Sequence, residues 1–154
     1  MLVVLPPCLL NPYYITPPLR KNYDKEPVKK LLDLLFRNNI AIITYECSEF
    51  ALLGPNRPPM TRDMYLKIGL RDVSRVIAQH LVDRLEKFDK MKIRVLGIVG
   101  VEGSPSCGVN RTVIGESYSK REYVHSPGIF IRELKEIIDR RQLNFKLVGW
   151  SWSK

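Results

Sequence analysis

Short unbroken apolar runs alternate along this chain with longer stripes of apolar residues at helical spacing, and that alternation restricts the fold more than any other feature. Leu2-Val3-Val4-Leu5 has no polar break, the pattern of a strand covered on both faces. It stops at Pro6-Pro7-Cys8, because proline cannot donate to a ladder. Pro12, Pro17 and Pro18 predict an irregular loop without helix from Asn11 to Lys25. Pro27 suits a first helical turn, and Val28, Leu31, Leu32 and Leu35 follow at i, i+3, i+4, i+7 until Asn38-Asn39 stops the helix. Ile40–Ile43 reads as a second buried strand running on to Tyr45-Glu46-Cys47, and 48–61 as a loop. Val73, Val76, Ile77, Leu81, Leu85 and Phe88 mark a long amphipathic helix over 70–89. Ile93–Val101 is a third strand, and Ser126-Pro127 is the cap and first turn of a last helix striped by Phe130, Leu134, Ile137 and Ile138. Phe145–Val148 is a fourth strand, with the tail to Lys154 exposed or at an edge.

Strand and helix in strict alternation predict an α/β fold, with a mainly parallel sheet, right-handed crossovers and helices on both faces. A chain of 154 residues fits one such three-layer domain of the Rossmann or flavodoxin kind, spanning 1–154. At 45% hydrophobic and 27% charged residues the chain can build a core, which excludes a disordered or collagen-like protein. No apolar stretch approaches the roughly 18–20 residues of a spanning helix, so no membrane partner is expected. Met1–Leu10 is apolar but has no basic start and carries Pro6 and Pro7, so it reads as a strand and not as a secretory signal. The net charge of +9 favours an anionic partner. Three cysteines are too few and too odd for a disulfide framework, which points to a reducing, cytoplasmic setting.

In a parallel sheet of this kind, ligands bind beyond the carboxyl ends of the strands, beside a switch in strand order. Cys8, Cys47 and Cys107 each lie at or just after such an end, and none falls in a helix or strand interior. Parallel strands share one carboxyl edge, so the three thiols can converge despite their distance in sequence. The plain alternative is three small buried hydrophobes. Three thiolates without a nearby histidine suit zinc poorly, since structural zinc takes four ligands with local pairs of cysteines. They suit an iron–sulfur cluster in which one iron has no protein ligand.

Gly103-Ser104-Pro105-Ser106-Cys107-Gly108, directly after an apolar strand, resembles the signature of the thiouracil desulfidase (TudS) family. Cys8-Leu9-Leu10 resembles the family's opening motif. Cys47-Ser48-Glu49 and the following Gly54-Pro55-Asn56-Arg57-Pro58-Pro59 resemble its second element, and Pro127-Gly128-Ile129 is in register with it. The chain departs from the pattern at Asn11, Ser48, Phe50-Ala51 and over 109–123, which marks a divergent branch.

The resemblance implies that Cys8, Cys47 and Cys107 hold a [4Fe–4S] cluster with one open iron. It further implies removal of sulfur, without net redox change, from a thiolated pyrimidine such as thiouracil or its nucleotide. Glu49 matches the catalytic carboxylate and Ser104 the active-site serine. Without the motif, a lone glutamate reads as a solvated surface group, and Ser-Pro-Ser as ordinary turn chemistry, which is all that Ser106 is assigned. Arg57, bracketed by prolines, is placed to meet a carbonyl of the base or a phosphate, with an ordinary surface arginine as the competing reading. Glu46, Glu102, Arg62 and Arg111 lie near the same edge without an assigned role, and His80 and His125 read as structural.

Two other classes compete. An RNA-binding or tRNA-modifying sulfur protein, using the same three cysteines, is favoured by the charge and by Tyr13, Tyr14 and Tyr23 near Arg20. However, the basic residues spread over several elements instead of forming one groove. A redox thiol enzyme built on Cys47 and Cys107 lacks a Cys-x-x-Cys pair.

Overall fold

The computed structural model describes residues 1–152, so Ser153 and Lys154 of the expected tail lie outside the described residues. Strands β1 (Leu2–Leu5), β2 (Ala41–Thr44), β3 (Val95–Val101) and β6 (Leu147–Trp150) form one parallel sheet in the order β2-β1-β3-β6. The chain steps outward from β1 to β2, then back across β1 to β3, and onward to β6. This reversal places the helices. A right-handed crossover in one direction leaves its helix on one face, and a crossover in the other direction leaves it on the opposite face. Accordingly α2 (Lys25–Arg37) covers one face, whereas α5 (Leu70–Lys90) and α6 (Ile129–Arg140) pack together on the other.

Strand alternation distributes the core between the two layers. Leu2 and Val4 of β1 join Ile98 of β3 under Leu81, Leu85, Phe130 and Leu134. Val3 and Leu5 join Val99 under Val28 and Leu35. Each of these helices keeps its apolar stripe on the sheet, although Val76, read as part of the stripe, is 53% exposed.

Several local expectations are corrected. β2 is an edge strand and is only partly covered, because no neighbour closes its outer side. The proline-rich stretch is not free of helix: Pro12 and Pro17 start short 3₁₀ turns, where a missing N–H costs nothing. Pro7 likewise opens the short helix α1 (Pro7–Leu10), so Cys8 is helical and does not lie in a loop. The expected loop 48–61 contains helix α3 (Ser48–Leu53), and a further helix α4 (Arg62–Lys67) precedes α5. The last helix takes Gly128 and not Ser126 as its cap. Within the segment that departs from the family pattern, β4 (Thr112–Ile114) and β5 (Glu122–Val124) form an antiparallel pair. The fourth sheet strand begins two residues later than the apolar run, because pairing with β3 starts at Leu147.

No helix among the described residues is long and apolar enough to cross a membrane.

Candidate active site

The reversal of strand order lies between β1 and β3, and the segments leaving those two strands carry Cys8 and Cys107. Cys47 follows the neighbouring β2 and caps α3. All three are free and half-buried. Burial pushes each thiol above its ordinary range, Cys47 to about 12. Beyond burial, Cys8 feels the charges of Cys107, Cys47 and Glu49, so the three sulfurs and the carboxylate share one electrostatic neighbourhood. Hydrogen bonds from Ser104 and the Val101 backbone partly offset the rise at Cys107. Among the described residues no three His, Cys, Asp or Glu side chains come close enough to share a single metal ion. The cavity lined by Val109, Lys135, Ile138 and Leu147 contains no cysteine, nor does the one lined by Ile93, Arg94 and Lys146.

The loop bearing Cys107 is held from several sides. Ser104 Oγ accepts the backbone N–H of Ser106 at 3.2 Å and of Cys107 at 3.1 Å, a serine-closed turn. Glu102 Oε1 accepts the N–H of Val109 at 2.7 Å and of Asn110 at 3.0 Å, and Thr112 Oγ1 donates to the Ser104 carbonyl at 2.8 Å. Gly100 is required here: a Cβ on it would collide with the Cys107 carbonyl, because the loop folds back directly onto β3. On the other side Gly128, Ile129 and Ile131 donate their N–H groups to the carbonyls of Gly108, Pro105 and Ser106. A side chain at Gly128 would meet the Ser106 carbonyl, so α6 begins in direct contact with the cysteine loop.

Glu49 sits in the first turn of α3, two residues after Cys47, and not on an irregular loop. Its Oε2 accepts the Ser106 hydroxyl at 2.6 Å and the Ser104 hydroxyl at 3.3 Å. Its Oε1 lies 3.6 Å from Arg57 Nε, an ion pair whose side chains are only 13% and 3% exposed. That separation is too long for a hydrogen bond, so the link is one of charge. The rest of the guanidinium is committed to the chain: Nη1 donates to the Gly54 carbonyl at 3.1 Å and Nη2 to the Tyr14 carbonyl at 2.7 Å. The surface-arginine reading of Arg57 is therefore excluded. Burial works against its charge, and Glu49 followed by Cys47 more than restores it.

Losing this buried counter-charge is expensive. Arg57→Met should destabilise the fold by about 3–5 kcal/mol, the usual cost of stripping one partner from a buried pair. Urea unfolding followed by circular dichroism measures it, and a loss indistinguishable from zero would make the pair dispensable.

The fold thus brings Cys8, Cys47, Cys107, Glu49, Ser104 and Arg57 to one edge. Sequence reasoning missed three neighbours. Ser106, read as a turn residue, makes the shorter bond to Glu49; its spacing of two from Ser104 was the available signal. Tyr45 is fully buried against the thiols and donates its hydroxyl to the Val99 carbonyl at 2.9 Å. Tyr65, fully buried on α4, has no hydrogen-bond partner for its hydroxyl among the described residues, and burial followed by Glu49 holds it well above the ordinary tyrosine range. Neither tyrosine lies in a motif. His80 and His125 are exposed.

Residues 1–148 match the family model described as "Putative 2-thiouracil desulfurase". The chain belongs to this family. An uncharacterized protein of Methanocaldococcus jannaschii is 25% identical over 93 residues, which is 59% of this chain and 59% of that protein. The match thus spans less than two thirds of the relative's length. No solved structure matches. The family's name is that of a sulfur-removing enzyme, in keeping with an edge built from thiols around one carboxylate.

Proposed function

We propose that this chain hydrolyses the carbon–sulfur bond of a thiolated pyrimidine, thiouracil or its nucleotide, and releases hydrosulfide without net redox change. In this reading Cys8, Cys47 and Cys107 hold a [4Fe–4S] cluster with one iron open. The observation that carries it is the meeting of three thiols from three strand ends with one carboxylate gripped by two hydroxyls and a guanidinium. The donor set is sulfur alone, which suits iron in a sulfide cluster. Burial that drives the thiols toward their neutral form is what a bound cationic group reverses. Cluster ligands stand farther apart than the donors of one ion, since the cluster's own atoms fill the space between. A thiol triad too open for a single ion is compatible with that arrangement. When bound, the cluster supplies a thiophilic Lewis acid for the substrate sulfur.

The chain's own residues account for the proton chemistry. The Glu49 carboxylate takes a proton from water, whose oxygen bonds to the thiocarbonyl carbon. The carbon–sulfur bond then breaks with its electron pair on sulfur, which takes up the proton that Glu49 held. One water is consumed, and one hydrosulfide and one proton leave. Ser104 and Ser106 act through Glu49 by fixing Oε2, and Arg57 supplies the buried counter-charge. Its three committed contacts make it a positioning residue in this scheme.

The test is protein purified without oxygen and incubated with thiouracil. The expected result is a brown solution that contains iron and sulfide and releases hydrosulfide in step with uracil. A colourless protein that converts no thiolated pyrimidine would overturn the reading.

A further inference from the structure

The two oxygens of Glu49 stand in different surroundings. Oε2 accepts the hydroxyls of Ser106 at 2.6 Å and of Ser104 at 3.3 Å. Oε1, among the described residues, is paired only with Arg57 Nε at 3.6 Å, beyond hydrogen-bond length. That Nε is itself buried without an acceptor among the described residues, although the rest of the guanidinium is bonded to the Gly54 and Tyr14 carbonyls. A third group completes the setting. Tyr65 on α4 is fully buried, and its hydroxyl also lacks a partner among the described residues. It packs in one cluster with Leu52, a turn beyond Glu49 on α3, and with Ile129, whose N–H is bonded to the Pro105 carbonyl between the two serines. After burial, the charges its hydroxyl feels are those of Glu49 and Arg57.

One carboxylate oxygen, one N–H donor and one hydroxyl thus meet at a buried point with their hydrogen bonds unmade. Polar groups set just beyond hydrogen-bond reach are commonly joined by water, and a buried water makes about three hydrogen bonds to groups that otherwise have none. Lying to one side of the line between Oε1 and Nε, a water can donate to Oε1, accept from Nε–H and take the tyrosine hydroxyl as its third partner. This removes the cost of burying those groups unpaired. The guanidinium charge favours loss of a proton from such a water. Oε1 is the oxygen free to take it, since Oε2 already accepts two hydroxyls.

We propose that Glu49 Oε1, Arg57 Nε and Tyr65 Oη hold one water molecule, and that this is the water that adds to the thiocarbonyl carbon. One of its protons passes to Oε1 and its oxygen bonds to the carbon, as in the hydrolysis proposed above. Tyr65 thereby joins the reaction as a water-binding residue. The inference rests on the desulfidase reading for the reaction, but not for the water site.

Two measurements on protein purified without oxygen test it. A crystal structure should show one water within hydrogen-bond reach of all three atoms, and Tyr65→Phe should lose or displace it. Phenylalanine keeps the ring in its apolar cluster, so folding and iron content should match wild type. With thiouracil as substrate, Tyr65→Phe should lower kcat about 10-fold, the usual worth of one hydrogen bond in a charged setting, and leave KM nearly unchanged. A buried hydroxyl without a task predicts the opposite, because its removal is neutral or stabilising and leaves kcat alone. That result would overturn the proposal. A structure with no water at this point, or with a ring oxygen of bound uracil there instead, would overturn the site. If wild type turns over no thiolated pyrimidine, the desulfidase reading fails while the crystal structure still judges the water site.

Discussion

Glu49→Gln should retain iron and sulfide at wild-type levels and lose about 10²–10⁴ in the rate of desulfuration, the usual worth of general-base assistance. The substitution is chosen for what it preserves. Glutamine has nearly the volume of glutamate, and its carbonyl oxygen can still accept the hydroxyls of Ser106 and Ser104. Arg57 keeps its two carbonyl acceptors, so its guanidinium stays bonded after the charge opposite is gone. What disappears is the capacity to take a proton from water. Because Cys47 is two residues away, iron and sulfide must be counted in the variant before any rate is interpreted. Full cluster content with wild-type turnover would make Glu49 a bystander and move the base elsewhere. Ser106→Ala provides the intermediate case: it removes the 2.6 Å bond and leaves Ser104, so the rate should fall while the carboxylate remains.

Cys107→Ala should abolish the cofactor and not merely slow the enzyme. Three thiols are the whole proposed ligand set, with no histidine or fourth cysteine to substitute. Changes in the shell outside metal ligands already cost about 10–100-fold in affinity, so loss of a ligand should reduce bound iron at least that far. The fold should survive. The Cys107 loop is anchored by Glu102, Thr112, the backbone N–H groups of Ser106 and Cys107 that bond to Ser104 Oγ, and the start of α6, and these bonds remain when the thiol is removed. Far-ultraviolet circular dichroism should therefore match wild type while iron analysis does not. Retention of iron in the variant would show that Cys107 is not a ligand.

Much of the sheet and its three covering helices could be read from the residues alone. β1 and β3 are apolar throughout because both faces are covered, and α5 and α6 carry stripes at a helical period because one side of each meets the sheet. Such signals survive in the sequence because burial acts on many residues in register. The small elements gave no such signal. α1, α3 and α4 have four to six residues, too few for a periodicity to rise above chance. β2 was expected to be buried because Ile42 and Ile43 are apolar, but whether a strand is central or at an edge depends on strand order and not on its own composition.

The candidate site divides the same way. Its cysteines, Glu49 and Ser104 stood in recognisable motifs, and their place after strands followed from the alternation of elements. Ser106 stood in the same motif as Ser104 but was read there only as a turn residue, and its bond to Glu49 was visible only in the folded chain; Tyr45 and Tyr65 lie in no such pattern. Arg57 shows the limit most clearly. Its proline-bracketed setting was legible, yet the direction of its guanidinium depends on the carbonyls of Gly54 and Tyr14 and on the carboxylate of Glu49. The residues proposed to carry the chemistry, and the sheet edge on which they stand, were legible along the chain, since motif and hydrophobic period are properties of sequence neighbours. Which partner each side chain faces was settled by the folded chain. Long-range hydrogen bonds and ion pairs join residues more than forty positions apart, and no local pattern records them.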